Sequence, residues 1–249
     1  MEFKMPEIIK FKDVNECMDV AAKFICKHAV ASCEKHGLFT FMLAGGNTPR
    51  PLYRLLAKRP YASDMPWERT HVFWGDERYV PIDSDESNYK MTNDEMLSIV
   101  KLGARQIHRV PVEEPTVEKA AEKYEQEMRE FFEAIEADDE ERKGDPFPRF
   151  DLVILGMGAD GHMASLFPES PALKEEERWM APVKKPGAEP MVPRVTLTIP
   201  LINNARCVMF LVTGEEKHDL VSKIADGIEG KPPAAQVSPV GSLVWFISS

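Results

Sequence analysis

The chain has 249 residues, of which 43% are hydrophobic and 29% charged. This balance is typical of a globular protein and excludes the disordered and fibrous classes. Lysine and arginine number 31 against 41 aspartates and glutamates, a net charge of −10. That charge argues against a nucleic-acid-binding protein, whose surface should be basic. It does not exclude an anionic small molecule as partner, because a local group of cations can oppose the overall charge.

Neither a membrane partner nor a secreted protein is indicated. The longest apolar run, 207–212, is far shorter than the roughly 18 residues that a membrane span needs. The first residues have no signal-peptide pattern. The cysteines lack CxxC spacing and the histidines lack ligand spacing, so we expect reduced thiols, a cytoplasmic location, no metal and no cofactor. The cysteines are Cys17, Cys26, Cys33 and Cys207.

Apolar periodicity and capping residues predict alternating helices and strands along the chain. A first helix over 14–36 begins at Asp13 and ends at Gly37. The other predicted helices are 51–56, 88–100, 117–140 and 215–226. The predicted strands are 38–43, 71–74, 151–155, 195–199, 207–212 and 243–247.

This alternation, with continuously apolar strands, predicts an α/β fold whose mostly parallel sheet is covered on both faces. We find no internal repeat and no linker, and therefore expect one domain over 1–249. The proline-rich stretch 169–190 is interpreted as a long excursion from that domain.

Ligands of such sheets bind outside the carboxyl ends of the strands. The first candidate loop there is Gly45-Gly46-Asn47-Thr48, where paired glycines let the backbone approach a ligand closely. A phosphate would suit this loop, which precedes a helix. A tight strand-to-helix turn without a ligand is the alternative.

The second loop carries three glycines, Gly156, Gly158 and Gly161, in dinucleotide-binding spacing. We reject that function because Asp160 would lie where a pyrophosphate should sit. The same loop presents Asp160 and His162, and a histidine beside a carboxylate is suited to remove a proton from water near neutral pH. The alternative is a loop histidine hydrogen-bonded only to backbone.

The third candidate loop contains Asp76 and Arg78, and Arg78 could clamp a phosphate in two-point contact. Lys217, which follows the strand 207–212, and Arg194, which precedes the strand 195–199, are further candidate cations. A surface ion-pair network is the alternative for each of them. No Gly-x-Ser-x-Gly motif supplies a serine nucleophile.

Taken together, these loops resemble the 6-phosphogluconolactonases of the glucosamine-6-phosphate isomerase/6-phosphogluconolactonase family. The resemblance covers the chain from about Gly37 onward. The segments that carry it are 43–49, 74–81, 156–168, 193–198 and 214–217. It implies a three-layer α/β/α sandwich with a Rossmann-like sheet, and hydrolysis of 6-phospho-D-glucono-1,5-lactone to 6-phospho-D-gluconate. A phosphorylated sugar lactone is then the expected partner, and a monomer is compatible with that activity.

The resemblance also implies roles for individual residues. His162 would activate water, with Asp160 as its neighbour. Substrate contacts would come from Gly45, Gly46, Asn47, Thr48, Asp76, Arg78, Arg194 and Lys217. Two departures from the family pattern are at Ala44 or Asn47, where serine is common, and at Ala159, where proline is common. The alternatives are a sugar-phosphate deaminase or isomerase, in which Phe167 matches a glutamate, and a non-catalytic sugar-phosphate sensor.

Overall fold

Seven parallel strands form the central sheet of the computed structural model, which describes residues 6–136, 145–227 and 232–249. In spatial order they are β1 (Glu7–Phe11), β10 (Ser242–Ser248), β9 (Cys207–Thr213), β6 (Leu152–Leu155), β2 (Phe39–Leu43), β3 (Thr70–Trp74) and β5 (Ile107–His108). Each neighbouring pair is parallel. The carboxyl ends of β9, β6, β2 and β3 therefore lie side by side at one edge.

Helices cover both faces of this sheet. One face carries α1 (Val14–His36), α2 (Arg50–Leu56), α3 (Tyr61–Asp64) and α4 (Asn88–Thr92). The other carries α5 (Val117–Glu136), α6 (Ile199–Asn203) and α7 (His218–Ala225). Every residue of β2 and β6 is buried, as expected for strands packed on both sides. The predicted α/β/α sandwich with a mostly parallel sheet is confirmed.

Helix α1 shows how local sequence fixes the element boundaries. The Asp13 carboxylate accepts hydrogen bonds from the backbone N–H groups of Asn15 (2.7 Å) and Glu16 (3.0 Å). At the other end Gly37 adopts a left-handed conformation, with φ of 84°, and donates its N–H to the Cys33 carbonyl. Both predicted boundaries are confirmed, and each rests on a capping interaction.

A second, antiparallel sheet packs against α5 and was not predicted. Its strands are β4 (Asp76–Arg78), β8 (Arg194–Leu197) and β7 (Met180–Val183), in the order β4-β8-β7. The interpretation of Asp76–Arg78 as a loop is therefore wrong, and the excursion 169–190 contains both β7 and a 3₁₀ turn at Pro171–Lys174. Strand β4, with three residues, is too short to show an alternating pattern in the sequence. Strand β7 contains Pro182, which argues against a strand in the sequence but is tolerated because β7 lies at the edge of its sheet.

Other differences concern short or irregular elements. Strands β1 and β5 were missed, and the predicted helix 88–100 consists of α4 followed by a π-helical turn at Asn93–Leu97. Ile135, near the end of α5, is 40% exposed. The acidic end of that predicted helix, 137–140, lies outside the described residues. Within the described ranges, no helix is long and apolar enough to cross a membrane.

Two histidines meet where β3 and β5 pair, at the start of β3 and away from its carboxyl end. His71 Nδ1 lies 3.0 Å from His108 Nε2, and His108 Nδ1 lies 2.9 Å from the Glu127 carboxylate. The His108 ring stacks on Phe73, with centroids 4.3 Å apart. Burial, and then the neighbouring His108, lower the pKa of His71 to about 4.

This lowered pKa predicts a loss of stability in mild acid. The unfolded chain binds a proton at His71 near pH 6.5, whereas the folded protein resists it until about pH 4. The contribution of His71 is thus complete above pH 6.5 and declines as the pH falls toward 4. The wild type should lose unfolding free energy when the pH is lowered from 7 to 5. We expect His71→Gln to lose about 1 kcal/mol less over the same interval, allowing for partial exposure of the ring. Urea denaturation of both proteins measures it, and equal drops would contradict it.

Candidate active site

A cavity of about 300 Å³ opens at the carboxyl edge of the central sheet, between the ends of β9, β6, β2 and β3. Nine of the ten predicted site residues line it, and the tenth, Asp160, contacts one of the nine. The nine are Gly45, Gly46, Asn47, Thr48, Asp76, Arg78, His162, Arg194 and Lys217. Parallel strands that end at one edge bring most of these residues together, and Arg194 reaches the cavity from β8 of the antiparallel sheet, where it pairs with Arg78.

The loop after β6 presents an imidazole held by a carboxylate. His162 Nδ1 lies 2.5 Å from Asp160 Oδ1, and the same oxygen accepts the His162 backbone N–H at 3.1 Å. Partial burial alone would raise the pKa of Asp160, but these hydrogen bonds outweigh it and hold that pKa below its usual value. With Nδ1 occupied by the carboxylate, Nε2 is the imidazole nitrogen that can accept a proton.

Gly158 and Gly161 make this arrangement possible. A Cβ on Gly158 would lie 2.2 Å from Nδ1 and Cε1 of His162, so any side chain there would displace the ring. Gly161 has φ of 79°, and a Cβ on it would lie 2.6 Å from Pro232. Gly158 therefore leaves space for the His162 ring, and Gly161 lets the loop turn close to Pro232.

Phe167 forms the other side of the imidazole's environment. Its ring centroid lies 4.8 Å from that of His162, and the Arg194 guanidinium lies 5.4 Å from the phenyl centroid. The phenyl ring is 3% exposed. A rigid apolar ring thus separates the histidine from a buried cation. Its contact with the imidazole is a feature that the sequence did not predict.

The loop after β2 is tied to the end of β9. Gly46 has φ of 85°, and a Cβ on Gly45 would lie 2.1 Å from Asn88 Oδ1, so both positions require glycine. The hydroxyls of Thr48 and Thr213 lie 3.2 Å apart and link the two loops. Lys217 follows in the 3₁₀ turn Glu215–Lys217, and its ammonium forms no ion pair within the part of the chain that the structure describes.

Two arginines face each other across the small sheet. Arg78 of β4 and Arg194 of β8 are directly opposed in the antiparallel register, and both line the cavity. Like charges at such positions repel one another. Burial lowers the pKa of Arg194. Among its charged neighbours, attraction by Asp76 raises that pKa most, and repulsion by Arg78 lowers it to a smaller extent. Arg194 is 3% exposed, so this repulsion is only weakly screened by water.

Protein groups satisfy these guanidiniums only in part. Arg78 Nη1 donates to the Glu86 carbonyl at 2.8 Å, and Arg194 Nη2 donates to the carbonyls of Ala188 (2.8 Å) and Pro190 (3.0 Å). The Nε atoms of both arginines are buried without a hydrogen-bond partner. No carboxylate of the described chain forms a salt bridge with either. A buried Arg194 beside a partly exposed Arg78, both with N–H donors to spare, is suited to bind an anion.

Asp76 is the buried acidic residue of the cavity wall, and two neighbours that the sequence did not identify hold it. Ser165 donates its hydroxyl to Asp76 Oδ2 at 2.6 Å, and Asn88 Nδ2 lies 3.3 Å from Asp76 Oδ1. Neither neighbour lies in a glycine-rich or charged motif. Long-range pairing of this kind, 89 residues apart for Ser165, leaves no local signal in a sequence.

The sequence predicts that the protein binds no metal, and this stays a prediction. Over 6–136, 145–227 and 232–249, no three histidine, cysteine, aspartate or glutamate side chains lie close enough to hold an ion. The described groups can bind an anion through Arg78, Arg194 and Lys217 and accept a proton at His162.

Comparison with known proteins gives concordant matches over most of the chain. A family model described as glucosamine-6-phosphate isomerases/6-phosphogluconolactonase matches residues 12–245. The chain is 43% identical to a 6-phosphogluconolactonase of Synechocystis sp. over 216 residues, which is 86% of this chain and 83% of the relative. It is 39% identical to one from Thermotoga maritima over 215 residues, 86% of each chain.

Solved structures show the same similarity. The crystal structure of 6-phosphogluconolactonase from Thermotoga maritima has a TM-score of 0.82 at 35% identity, covering 98% of this chain and all of the other. That from Trypanosoma brucei has a TM-score of 0.85 at 28% identity, with 99% and 97% covered. A monomeric glucosamine-6-phosphate deaminase has a TM-score of 0.77 at 18% identity, over 97% and 96%, which shows a shared fold alone.

The paired arginines predict that inorganic phosphate stabilises the protein. Phosphate that binds only the folded state should raise Tm, whereas chloride at equal ionic strength should not. Arg78→Gln and Arg194→Gln are each expected to lose most of this rise. Arg78→Gln should also keep or raise the Tm measured without phosphate, because it removes a like-charge contact.

Thermal denaturation across a phosphate titration measures both effects. Lys101→Gln, which removes an exposed cation just before β5 at the opposite edge of the sheet, is the matched control and should retain the wild-type rise. An undiminished phosphate response in both arginine variants would contradict the assignment of an anion to this pair.

Proposed function

The chain belongs to the glucosamine-6-phosphate isomerase/6-phosphogluconolactonase family, and we propose that it hydrolyses 6-phospho-D-glucono-1,5-lactone to 6-phospho-D-gluconate with His162 as general base. The observation that carries this proposal is the cavity itself. It combines an imidazole held 2.5 Å from a carboxylate with three cations that form no salt bridge in the described chain. A δ-lactone is an activated ester, so a base that deprotonates water is chemically sufficient.

In the proposed reaction, His162 Nε2 removes a proton from a water molecule as its oxygen attacks C1 of the lactone. The carbonyl π bond opens, and its electron pair moves onto the carbonyl oxygen. Asp160 stabilises the imidazolium that forms. When the carbonyl re-forms, the bond between C1 and the ring oxygen breaks, and the imidazolium returns its proton to that oxygen. The product is the open-chain acid, and the histidine is restored.

The cations of the cavity are assigned to the phosphate. Arg78, Arg194 and Lys217 supply positive charge, and the loop Gly45–Thr48 supplies backbone N–H groups at a place where two glycines allow close approach. Charge-assisted contacts of this kind are stronger than neutral ones. Binding energy from the remote phosphate then orients the lactone carbonyl toward His162.

All of these contacts come from one chain, so we propose that one copy is sufficient for activity and that residues 1–249 act as a single domain. The phosphorylated lactone is the partner, and no cofactor takes part. Four buried, free cysteines are compatible with the reducing environment of the cytoplasm, which we propose as the location.

A deaminase or isomerase on the same scaffold is the alternative function. The position that the resemblance matches to a deaminase glutamate is Phe167, which is buried and packs on His162. A phenyl ring cannot exchange a proton, so a carboxylate needed for sugar-ring opening would be missing at this position. Phe167 therefore favours lactone hydrolysis.

Removing the imidazole tests the proposed base. We expect His162→Gln to lower kcat about 10²- to 10⁴-fold with little change in KM, because a positioned general base contributes about this much to the rate. The measurement is proton release from freshly prepared lactone, corrected for spontaneous hydrolysis. His71→Gln removes an imidazole near the opposite edge of the sheet and should keep wild-type kcat. Wild-type turnover by His162→Gln would exclude His162 as the base.

Removing a cation tests the phosphate assignment. Arg78→Gln or Lys217→Gln should lower kcat/KM for the phosphorylated lactone about 10- to 150-fold, corresponding to one charge-assisted contact. The same variants should change kcat/KM for D-glucono-1,5-lactone, which lacks the phosphate, by less than about 3-fold. Lys223→Gln, an exposed change on α7, serves as control. Equal losses for both lactones would show that these residues do not act through the phosphate.

A further inference from the structure

Strand β4 presents two charges of opposite sign to the cavity at a fixed spacing. Asp76 and Arg78 are alternate residues, so their side chains leave the same face of the strand, and both line the cavity. Their Cα atoms are separated by about 7 Å, two residues along an extended strand. Glu77 between them points to the opposite face, where its carboxylate accepts the backbone N–H groups of Asn88 and Tyr89, each at 2.7 Å.

The Asp76 carboxylate retains unused capacity to accept hydrogen bonds. It is 5% exposed, and its side-chain donors are both neutral: the Ser165 hydroxyl and the Asn88 amide. Across the described ranges no cation forms a salt bridge with it, and the cation that attracts it, Arg194, is reached through Ser165, whose Oγ lies 3.5 Å from Arg194 Nη1. A carboxylate has about four acceptor sites, so two of them remain for a group in the cavity. That group must be a donor, because the carboxylate would repel a phosphate.

Resting on the proposed function, we propose that Asp76 determines specificity by accepting a hydrogen bond from a ring hydroxyl of the lactone while Arg78 holds its phosphate. The donors that the substrate offers are the hydroxyls on C2, C3 and C4, since C1 carries the carbonyl and C6 the phosphate. The fixed spacing of Asp76 and Arg78 would thus favour substrates with a matching distance between phosphate and ring hydroxyl. A six-carbon sugar lactone phosphorylated at C6 would be selected in this way.

Ser165 and Asn88 are positioning residues for this contact. Ser165 is fully buried, its backbone N–H donates to the Thr196 hydroxyl at 3.2 Å, and its own hydroxyl fixes Asp76 Oδ2. Asn88 donates to both the backbone carbonyl (2.9 Å) and the carboxylate of Asp76. It also fills the space beside Gly45 that a Cβ would need. The carboxylate is therefore held on two sides.

The test combines one substitution with four substrates. Wild type and Asp76→Asn are assayed with 6-phosphogluconolactone and with its 2-deoxy, 3-deoxy and 4-deoxy analogues. For wild type, kcat/KM should fall about 10- to 100-fold for one of the three analogues, the loss of a hydrogen bond to a charged group. For Asp76→Asn, kcat/KM for the parent lactone should fall by a similar factor. The ratio of kcat/KM between the parent and that same analogue should then shrink to about 3-fold or less.

Glu189→Gln is the matched control, because it neutralises another carboxylate of the cavity lining at an exposed position. It should keep the wild-type ratio between parent and analogues. Ser165→Ala keeps the Asp76 carboxylate but removes one of its holders, and it should reduce the discrimination several-fold. It replaces Asp76→Asn as the readout if that variant does not fold.

Wild type alone can overturn the inference, since equal kcat/KM for all four lactones would show that no hydroxyl is recognised. An undiminished penalty in Asp76→Asn would assign the hydroxyl to another residue and overturn it equally. Failure of the proposed function is a different result: wild type would then accelerate none of the four lactones beyond spontaneous hydrolysis.

Discussion

The burial of Arg194 opposite Arg78, with Asp76 as its strongest charged neighbour, is the constraint on which the rest of the site depends. Two guanidiniums oppose each other across β4 and β8, and each has a buried Nε without a hydrogen-bond partner. A buried cation without a salt bridge reduces the stability of a fold, and at Arg194 the nearby Asp76 carboxylate offsets part of that cost. The small sheet tolerates the pair because it packs on α5 and because the loop after β7 gives two carbonyls to Arg194. An anionic substrate would remove the repulsion, so substrate affinity and the stability of the free protein are opposed here.

The remaining geometry of the site depends on glycines, which have no side chain and so leave room for their neighbours. Gly158 leaves room for the His162 ring, and Gly45 leaves room for Asn88, which in turn fixes Asp76. The proposed base and the proposed hydroxyl acceptor are thus each seated against a glycine. Rigid seating of this kind reduces the reorganisation that the catalytic groups need during reaction. It also explains in physical terms why a glycine motif of dinucleotide-binding spacing occurs in a loop whose main feature is a histidine.

Most of the fold and the membership of the cavity could be predicted from the sequence. Buried strands and the caps at Asp13 and Gly37 are local signals, and parallel strands must bring their carboxyl ends together. The antiparallel sheet could not be predicted, because β4 has three residues and Pro182 interrupts the pattern of β7. The contacts of Ser165, Asn88 and Phe167 could not be predicted either. They are set by packing between segments distant in the chain, and each of these side chains is ordinary in its local sequence.

We propose that one cavity holds the phosphate among Arg78, Arg194 and Lys217 while His162 Nε2 faces C1 of the lactone. A crystal structure of the protein with 6-phospho-D-gluconate, the product of the proposed reaction, tests this claim most directly. We predict phosphate oxygens within hydrogen-bond distance of Arg78, Arg194 or Lys217, and the C1 carboxylate within reach of His162 Nε2. A product bound with its phosphate away from all three cations, or with C1 remote from His162, would contradict the account.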